Sequence, residues 1–151
     1  MNALIVYASI TGNTEGIANH LATELEKLGV QSKVRECTQA SPTDFTQYDI
    51  CVVATYTWGR KGELPDEIYS FYEDLVGVDL TNKVYGALGS GEEAYDYFCK
   101  SVDDFDIQFE KTNAIRGSEV VKVELAAQEE DIERIAAFAN QLVEKAKEIH
   151  K

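Results

Sequence analysis

The chain has 151 residues, 44% of them hydrophobic, and a formal net charge of −13 at pH 7. That hydrophobic content excludes a disordered chain and is enough for one folded domain over residues 1–151. The strong negative charge repels nucleic acid and anionic membranes. No apolar run approaches the roughly 20 residues of a membrane span. The chain is therefore expected to be a soluble acidic domain.

Cysteine usage and the first residues exclude further classes. The three cysteines (Cys37, Cys51 and Cys99) have no close spacing, so neither a disulfide framework nor a metal site is predicted. No secretory signal pattern precedes the first apolar run, which leads us to expect a cytoplasmic location.

Apolar β-branched runs alternate with helical periodicity along the whole chain. The spacing predicts five strands: Ala3–Ala8, Ser32–Cys37, Ile50–Thr55, Val84–Leu88 and Val120–Leu125. It predicts four helices: Thr14–Leu28, Asp66–Val76 with Pro65 at its first position, Tyr95–Glu110 and Glu129–Ile149. Alternating strands and helices predict an α/β fold in three layers, with a parallel sheet covered by helices on both faces. Ligands bind such sheets beyond the carboxyl ends of the strands.

The loop after the first predicted strand reads Ser9-Ile10-Thr11-Gly12-Asn13-Thr14 and leads directly into a helix. Backbone amides and hydroxyls at a helix N-terminus favour a phosphate. The loop lacks the Lys of a nucleotide triphosphatase loop, the three spaced glycines of a dinucleotide fold and the Cys of a cysteine phosphatase. It therefore predicts a site that holds phosphate with neutral donors and performs no chemistry on it. An ordinary helix cap is the alternative that this loop leaves open.

The loops after the third and fourth predicted strands carry aromatic residues and glycines. The first of them reads Thr55-Tyr56-Thr57-Trp58-Gly59 and contains the only tryptophan of the chain. The second begins Gly89-Ser90-Gly91-Glu92 and is followed by Tyr95. Glycines let backbone amides approach a ligand closely, and aromatic side chains can stack on a flat ring. Packing in the core is the alternative role for each aromatic residue by itself.

Taken in order, these three loops resemble those of a short-chain flavodoxin, and the resemblance covers essentially the whole chain. The matching segments are Ser9 to Thr14, Thr57-Trp58-Gly59, and Gly89-Ser90-Gly91 followed by Tyr95 and Tyr97-Phe98-Cys99. The resemblance implies a five-stranded parallel sheet in the order 2-1-3-4-5 with FMN at the point where strand order reverses. It also implies an electron carrier rather than an enzyme, which transfers one electron at low potential between a reductase and acceptor enzymes.

The resemblance assigns roles to individual residues. The hydroxyls and amides of the first loop would hold the phosphate of a noncovalently bound FMN, while Trp58 and Tyr95 would flank the ring. The peptide of Gly59 would flip when the flavin gains one electron, and amides near Gly91 and Glu92 would meet the pyrimidine edge. The implied cofactor-binding set is Ser9, Ile10, Thr11, Gly12, Asn13, Thr14, Thr55, Tyr56, Thr57, Trp58, Gly59, Ser90, Gly91, Glu92, Tyr95, Tyr97 and Phe98.

The partners implied are redox proteins with basic docking surfaces. Flavin reductases or iron–sulfur oxidoreductases would donate electrons, and haem proteins or other acceptors would receive them from a monomeric carrier. Acidic residues near the ring, including Glu63, Asp66 and Glu92, would attract such partners. Arg60 and Lys61 depart from the family pattern, in which acidic residues are frequent at these positions, and would partly offset the negative field.

Two other classes share this architecture. A phosphate-accepting receiver domain needs an acidic pair after the first strand and an Asp after the third, where this chain has Ala8-Ser9 and Thr55. An FMN-dependent NAD(P)H quinone or nitro reductase is the stronger alternative. Such an enzyme needs a second pocket for nicotinamide and substrate, and the present loops are short for that purpose.

Overall fold

The computed structural model describes residues 1–57, 62–92 and 97–150, and within them six strand segments form one sheet with helices around it. The strands are β1 Asn2–Tyr7, β2 Gln31–Glu36, β3 Ile50–Tyr56, β4 Val84–Gly91, β5 Ile115–Arg116 and β6 Val121–Glu124. The helices are α1 Asn13–Lys27, α2 Asp66–Leu75, α3 Lys100–Glu110 and α4 Glu129–Ile149. Two short 3₁₀ segments, Cys37–Gln39 and Pro42–Gln47, lie between β2 and β3.

All strand pairs in the sheet are parallel, and the order is β2-β1-β3-β4, with β5 and β6 both paired to the outer edge of β4. The predicted order 2-1-3-4-5 is confirmed. The chain moves from β1 outward to β2 and then returns past β1 to β3. Strand order therefore reverses at β1, and the loops after β1 and β3 diverge there to leave a crevice.

Side chains alternate between two buried clusters, one on each face of the sheet. On β1, Ala3 and Ile5 point toward α1 and α4, whereas Leu4 and Val6 point toward α2 and α3. Because β1 and β3 are buried on both faces, they read as continuous apolar runs rather than as alternating ones. The predicted three-layer arrangement is confirmed. No helix in the described ranges is long and apolar enough to cross a membrane.

The third helix begins later than predicted. It starts at Lys100 rather than at Tyr95, and the residues just before it form a turn in which the amide of Lys100 donates to the carbonyl of Tyr97 at 3.1 Å. Cys99 has a left-handed φ of +52°, which is incompatible with a helix interior. Apolar periodicity alone cannot detect this reversal, so the predicted start was wrong.

The fifth predicted strand is also different from the expectation. The strand predicted at Val120–Leu125 is shorter in the structure, where it is β6. A further short strand, the exposed β5, also pairs with β4 and was not predicted. Between them, Gly117 lies so close to the sheet that a Cβ atom there would be 2.5 Å from Cγ1 of Val84. Because Ile115 and Arg116 are exposed, they lack the buried apolar pattern on which the sequence prediction depends.

Candidate functional site

A cavity of about 350 Å³ opens at the carboxyl edge of the sheet, between the loops that follow β1, β3 and β4. Ten of the described residues line it, of which nine belong to the predicted site and the tenth is Leu125. The lining residues are Ile10, Thr11, Asn13, Thr14, Tyr56, Thr57, Ser90, Gly91, Glu92 and Leu125. The fold thus brings together three segments that are far apart in the chain.

The first loop presents an uncapped helix N-terminus to this cavity. Gly12 has a left-handed φ of +91°, which turns the chain into α1 and which glycine adopts without strain. The amide of Gly12 donates to Oγ of Ser9 at 3.1 Å, and α1 has no side-chain cap. The amides of the first helical turn, from Asn13 onward, have no partner within the helix and carry its partial positive charge. This arrangement suits an anion.

A pair of buried hydroxyls joins this helix to the end of β4. Oγ1 of Thr14 and Oγ of Ser90 are 2.7 Å apart, and the two residues are only 1% and 4% exposed. Thr11 is exposed at the same cavity. The cavity lining contains no Lys or Arg among the described residues, and its side-chain donors there are hydroxyls and the amide of Asn13.

The last residue of β3 and the residue after it are held by α2 and α3. The hydroxyl of Tyr56 donates to Oε1 of Glu67 at 2.7 Å, and burial together with this acceptor raises the pKa of Tyr56 above its usual range. Oγ1 of Thr57 accepts from the amide of Ser101 at 3.0 Å and so caps the first turn of α3. Both contacts fix the direction in which the chain leaves β3. Thr55 is 1% exposed and does not line the cavity.

A second tyrosine contact restrains the first helical turn. The hydroxyl of Tyr7 donates to Oε2 of Glu15 at 2.8 Å. Burial and this carboxylate raise the pKa of Tyr7 to about 12, so the hydroxyl remains a donor at physiological pH. The carboxylate of Glu15 is thereby engaged beside the N-terminus of α1.

Several predicted site residues do not line the cavity or fall outside the residues that the structure describes. Trp58, Gly59 and Tyr95, expected at the ring, fall outside the described residues, as do Arg60 and Lys61. Ser9 and Gly12 shape the first loop without lining the cavity. Tyr97 is 49% exposed away from the cavity lining, and Phe98 packs against the core beside α3.

Among the described residues, Leu125 is the lining residue that the sequence prediction missed. It follows β6 with a left-handed φ of +55°, its amide donates to the carbonyl of Gly91 at 2.9 Å, and its side chain is 47% exposed. Ile10, on the opposite loop, is 64% exposed. Exposed apolar side chains beside a concave site fit a ligand with an apolar part. No sequence signal marked Leu125, because its spacing from Val121 and Val123 indicates a buried strand residue.

The site offers no metal centre in the part of the chain that is described, where no group of three or more His, Cys, Asp or Glu side chains could hold an ion. The cavity offers amide and hydroxyl donors on one side. On the other side it offers apolar side chains. Such a set suits an organic phosphate with a flat ring.

Comparison with known proteins agrees with this geometry. A sequence model of the flavodoxin family matches residues 5–138. The chain is 36% identical over 138 residues to a probable flavodoxin of Bacillus subtilis strain 168, covering 91% of this chain and 87% of the other. A flavodoxin structure from Streptococcus pneumoniae TIGR4 superposes with a TM-score of 0.93 at 54% identity, covering 96% of this chain and 99% of that one. A short-chain flavodoxin associated with a bacterial microcompartment superposes with a TM-score of 0.94 at 45% identity, covering 97% and 99%.

The chain belongs to the flavodoxin family, as its loops indicated. Flavodoxins bind FMN noncovalently and carry electrons, and the family assignment does not favour the reductase alternative. The residues present fit FMN: unpaired helix amides and buried hydroxyls suit its phosphate, and the apolar side chains of Ile10 and Leu125 suit its ring.

Proposed function

We propose that this flavodoxin anchors the phosphate of FMN at the N-terminus of α1 and shuttles single electrons at low potential. The observation that carries the proposal is the cavity between the uncapped first turn of α1 and the end of β4. The amides of Thr11, Asn13 and Thr14 and the hydroxyls of Thr11 and Thr14 hold the phosphate with neutral donors, and Ser9 shapes the loop by accepting from the amide of Gly12. Because the helix dipole favours the negative charge, no Lys or Arg is needed in the loop.

The ring is placed at the open side of the same cavity. Tyr56, Thr57 and the amides of Gly91 and Glu92 border it, and Ile10 and Leu125 shield its apolar surface. We assign Trp58, Gly59 and Tyr95 to the ring as well, from their positions in the sequence alone. Thr55, Tyr97 and Phe98 do not line the cavity, and no direct contact with the cofactor is proposed for them.

Bound FMN supplies reversible one-electron transfer, and the protein supplies position and electrostatics. Glu92 lines the cavity, Glu63 and Asp66 lie in the segment between β3 and α2 and at the start of α2, and all three are exposed. They oppose added negative charge on the ring by like-charge repulsion, which lowers the reduction potential. For a one-electron couple, about 59 mV corresponds to a tenfold change in the equilibrium constant, so two or three partly screened charges have a measurable effect.

Redox partners such as reductases are a feature of this family. We propose that the partners of this chain present basic surfaces: a flavin reductase or an iron–sulfur oxidoreductase as donor, and a haem protein or another acceptor. The support is the net charge of −13 together with the exposed Glu92 at the cavity. The protein would act as a monomer in the cytoplasm.

The carrier function makes a direct prediction about NADPH. We expect one FMN per chain, two separate one-electron steps in potentiometry, and negligible oxidation of NADPH by the protein alone. Adding a flavin reductase should start electron flow, which serves as the positive control. Rapid NADPH oxidation with a quinone or nitro compound, in the absence of any reductase, would instead support the enzymatic alternative.

Docking should depend on salt. The Debye length falls from about 10 Å at 0.1 M salt to about 3 Å at 1 M, so the rate of reduction by a flavin reductase should fall steeply over this range. Replacing Glu63, Asp66 and Glu92 by their amides should flatten the dependence in stopped-flow measurements.

A charge-matched control is available on the opposite edge of the sheet. Glu26, Glu110 and Glu148 are exposed near the C-terminal ends of α1, α3 and α4. Replacing these three residues by glutamine removes the same net charge but should leave the salt dependence close to that of the original protein. Equal flattening by both triple variants would show that net charge, and not this surface, governs association.

A further inference from the structure

Thr14 and Ser90 form a hydrogen bond between two hydroxyls, and its direction can reverse. The two oxygens are 2.7 Å apart across 76 residues of sequence, and both residues line the cavity. Within the described residues, neither hydroxyl has another hydrogen-bond partner. Either oxygen can be the donor, so the direction of this hydrogen bond is set by whatever else the pair contacts.

When an anion is bound, the number of available protons determines which hydroxyl donates in the Thr14–Ser90 hydrogen bond. Each hydroxyl carries one proton and two acceptor lone pairs. If the proton of Thr14 is donated to a phosphate oxygen, only the proton of Ser90 remains for the contact between them. Ser90 must then donate to Thr14. A hydroxyl that accepts one hydrogen bond is polarised and becomes a better donor in the next.

We propose that Ser90 is a positioning residue for the phosphate: its hydroxyl donates to Oγ1 of Thr14 and thereby directs the proton of Thr14 toward the ligand. This inference rests on the proposed phosphate site at the N-terminus of α1. Ser90 acts through Thr14 and not by touching the phosphate itself. The end of β4 thus controls the donor strength of a residue on α1.

Removal of the Ser90 hydroxyl has a specific consequence. The buried oxygen of Thr14 loses its donor, and its proton is free to turn toward a carbonyl of the preceding backbone, as helical threonines commonly do. Binding of the phosphate weakens, whereas binding of the ring does not. Riboflavin, which lacks the phosphate, therefore separates this effect from a general loosening of the cavity.

The test is a double-mutant cycle measured by flavin fluorescence on the full-length apoprotein. The variants are Ser90→Ala, Thr14→Val and the double variant, each titrated with FMN and with riboflavin. Ser90→Ala should weaken FMN about tenfold, or about 1.4 kcal/mol, and riboflavin less than about twofold. Thr14→Val should weaken FMN by about 10- to 100-fold. The double variant should be no weaker than Thr14→Val.

Two further variants serve as controls. Ser118→Ala also removes a buried hydroxyl, one that donates to Gln141 at 2.6 Å away from the cavity lining, and should leave the ratio of FMN to riboflavin affinity unchanged. Ser90→Thr keeps the hydroxyl and should retain a ratio closer to the original than Ser90→Ala does.

The possible failures are distinguishable. If the losses from Ser90→Ala and Thr14→Val multiply in the double variant, Ser90 acts independently of Thr14 and the inference is overturned while the phosphate site stands. If Ser90→Ala weakens both flavins equally, its role is merely structural and the inference is also overturned. If Thr14→Val leaves the FMN to riboflavin ratio unchanged, the proposed role of Thr14 at the phosphate fails together with the inference.

Discussion

Replacing Thr11 and Thr14 together by alanine is expected to weaken FMN binding about 100-fold or more, because a hydrogen bond to a charged group contributes about 1.5–3 kcal/mol. Both residues line the cavity at the N-terminus of α1, where we propose that their hydroxyls donate to the phosphate beside the backbone amides. Riboflavin should lose little, since it offers no phosphate to this loop. The measurement is a fluorescence titration of the apoprotein with each flavin.

A matched control removes two threonine hydroxyls far from the loop. Thr23 donates to the carbonyl of Asn19 within α1, and Thr46 donates to the carbonyl of Thr43 before β3. Their double replacement by alanine should leave both affinities near those of the original protein. Equal losses of FMN and riboflavin in the Thr11/Thr14 variant would mean that the loop does not bind the phosphate.

Gly89→Ala is expected to lower the free energy of unfolding by about 3 kcal/mol or more, a large value for a single added methyl group. Gly89 lies in β4 opposite Thr55 of β3. A Cβ atom at this position would be 1.8 Å from the carbonyl oxygen of Thr55 and 2.8 Å from Cγ2 of Val102. Because the nearer obstacle is backbone, relief requires the two central strands to move apart directly below the cavity.

Gly16→Ala is the matched control for this substitution. Gly16 is exposed in α1, and an added Cβ atom would meet no heavy atom within 4 Å. Alanine should raise the free energy of unfolding by up to about 1 kcal/mol through its higher helix propensity. Urea unfolding should be measured on the apoproteins, since bound FMN adds to the apparent stability. Similar unfolding midpoints for the two variants would contradict the predicted steric conflict at Gly89.

The sequence was sufficient to locate the four helices, every strand of the described residues except β5, and the class of ligand. The run Ala3 to Ala8 predicted a strand buried on both faces, and the structure places β1 inside the sheet, between β2 and β3, with its side chains divided between two cores. Local patterns succeed here because burial repeats with the period of the strand or the helix. The strand order required the family resemblance, since periodicity contains no information on which strands are neighbours.

The predicted ends of elements were wrong where the backbone reverses direction or where two backbone segments approach closely. Neither feature produces a pattern of apolar residues. Cys99 ends a turn in a left-handed conformation, and α3 begins only after it. Gly117 separates β5 from β6 by packing against Val84. Both features depend on neighbours that lie elsewhere in the chain, so no window of local sequence contains them.

The chemical character of the proposed phosphate loop follows from residues 9–14 alone, because hydroxyls, a glycine turn and a helix start are all local features. Contacts across the cavity depend instead on the parallel register of the sheet. That register pairs Ser90 with Tyr56 and brings Ser90 to the buried hydroxyl of Thr14. It also pairs Gly91 with the end of β6, which places Leu125 at the cavity. Such contacts join residues many positions apart, and only the folded backbone determines their distances.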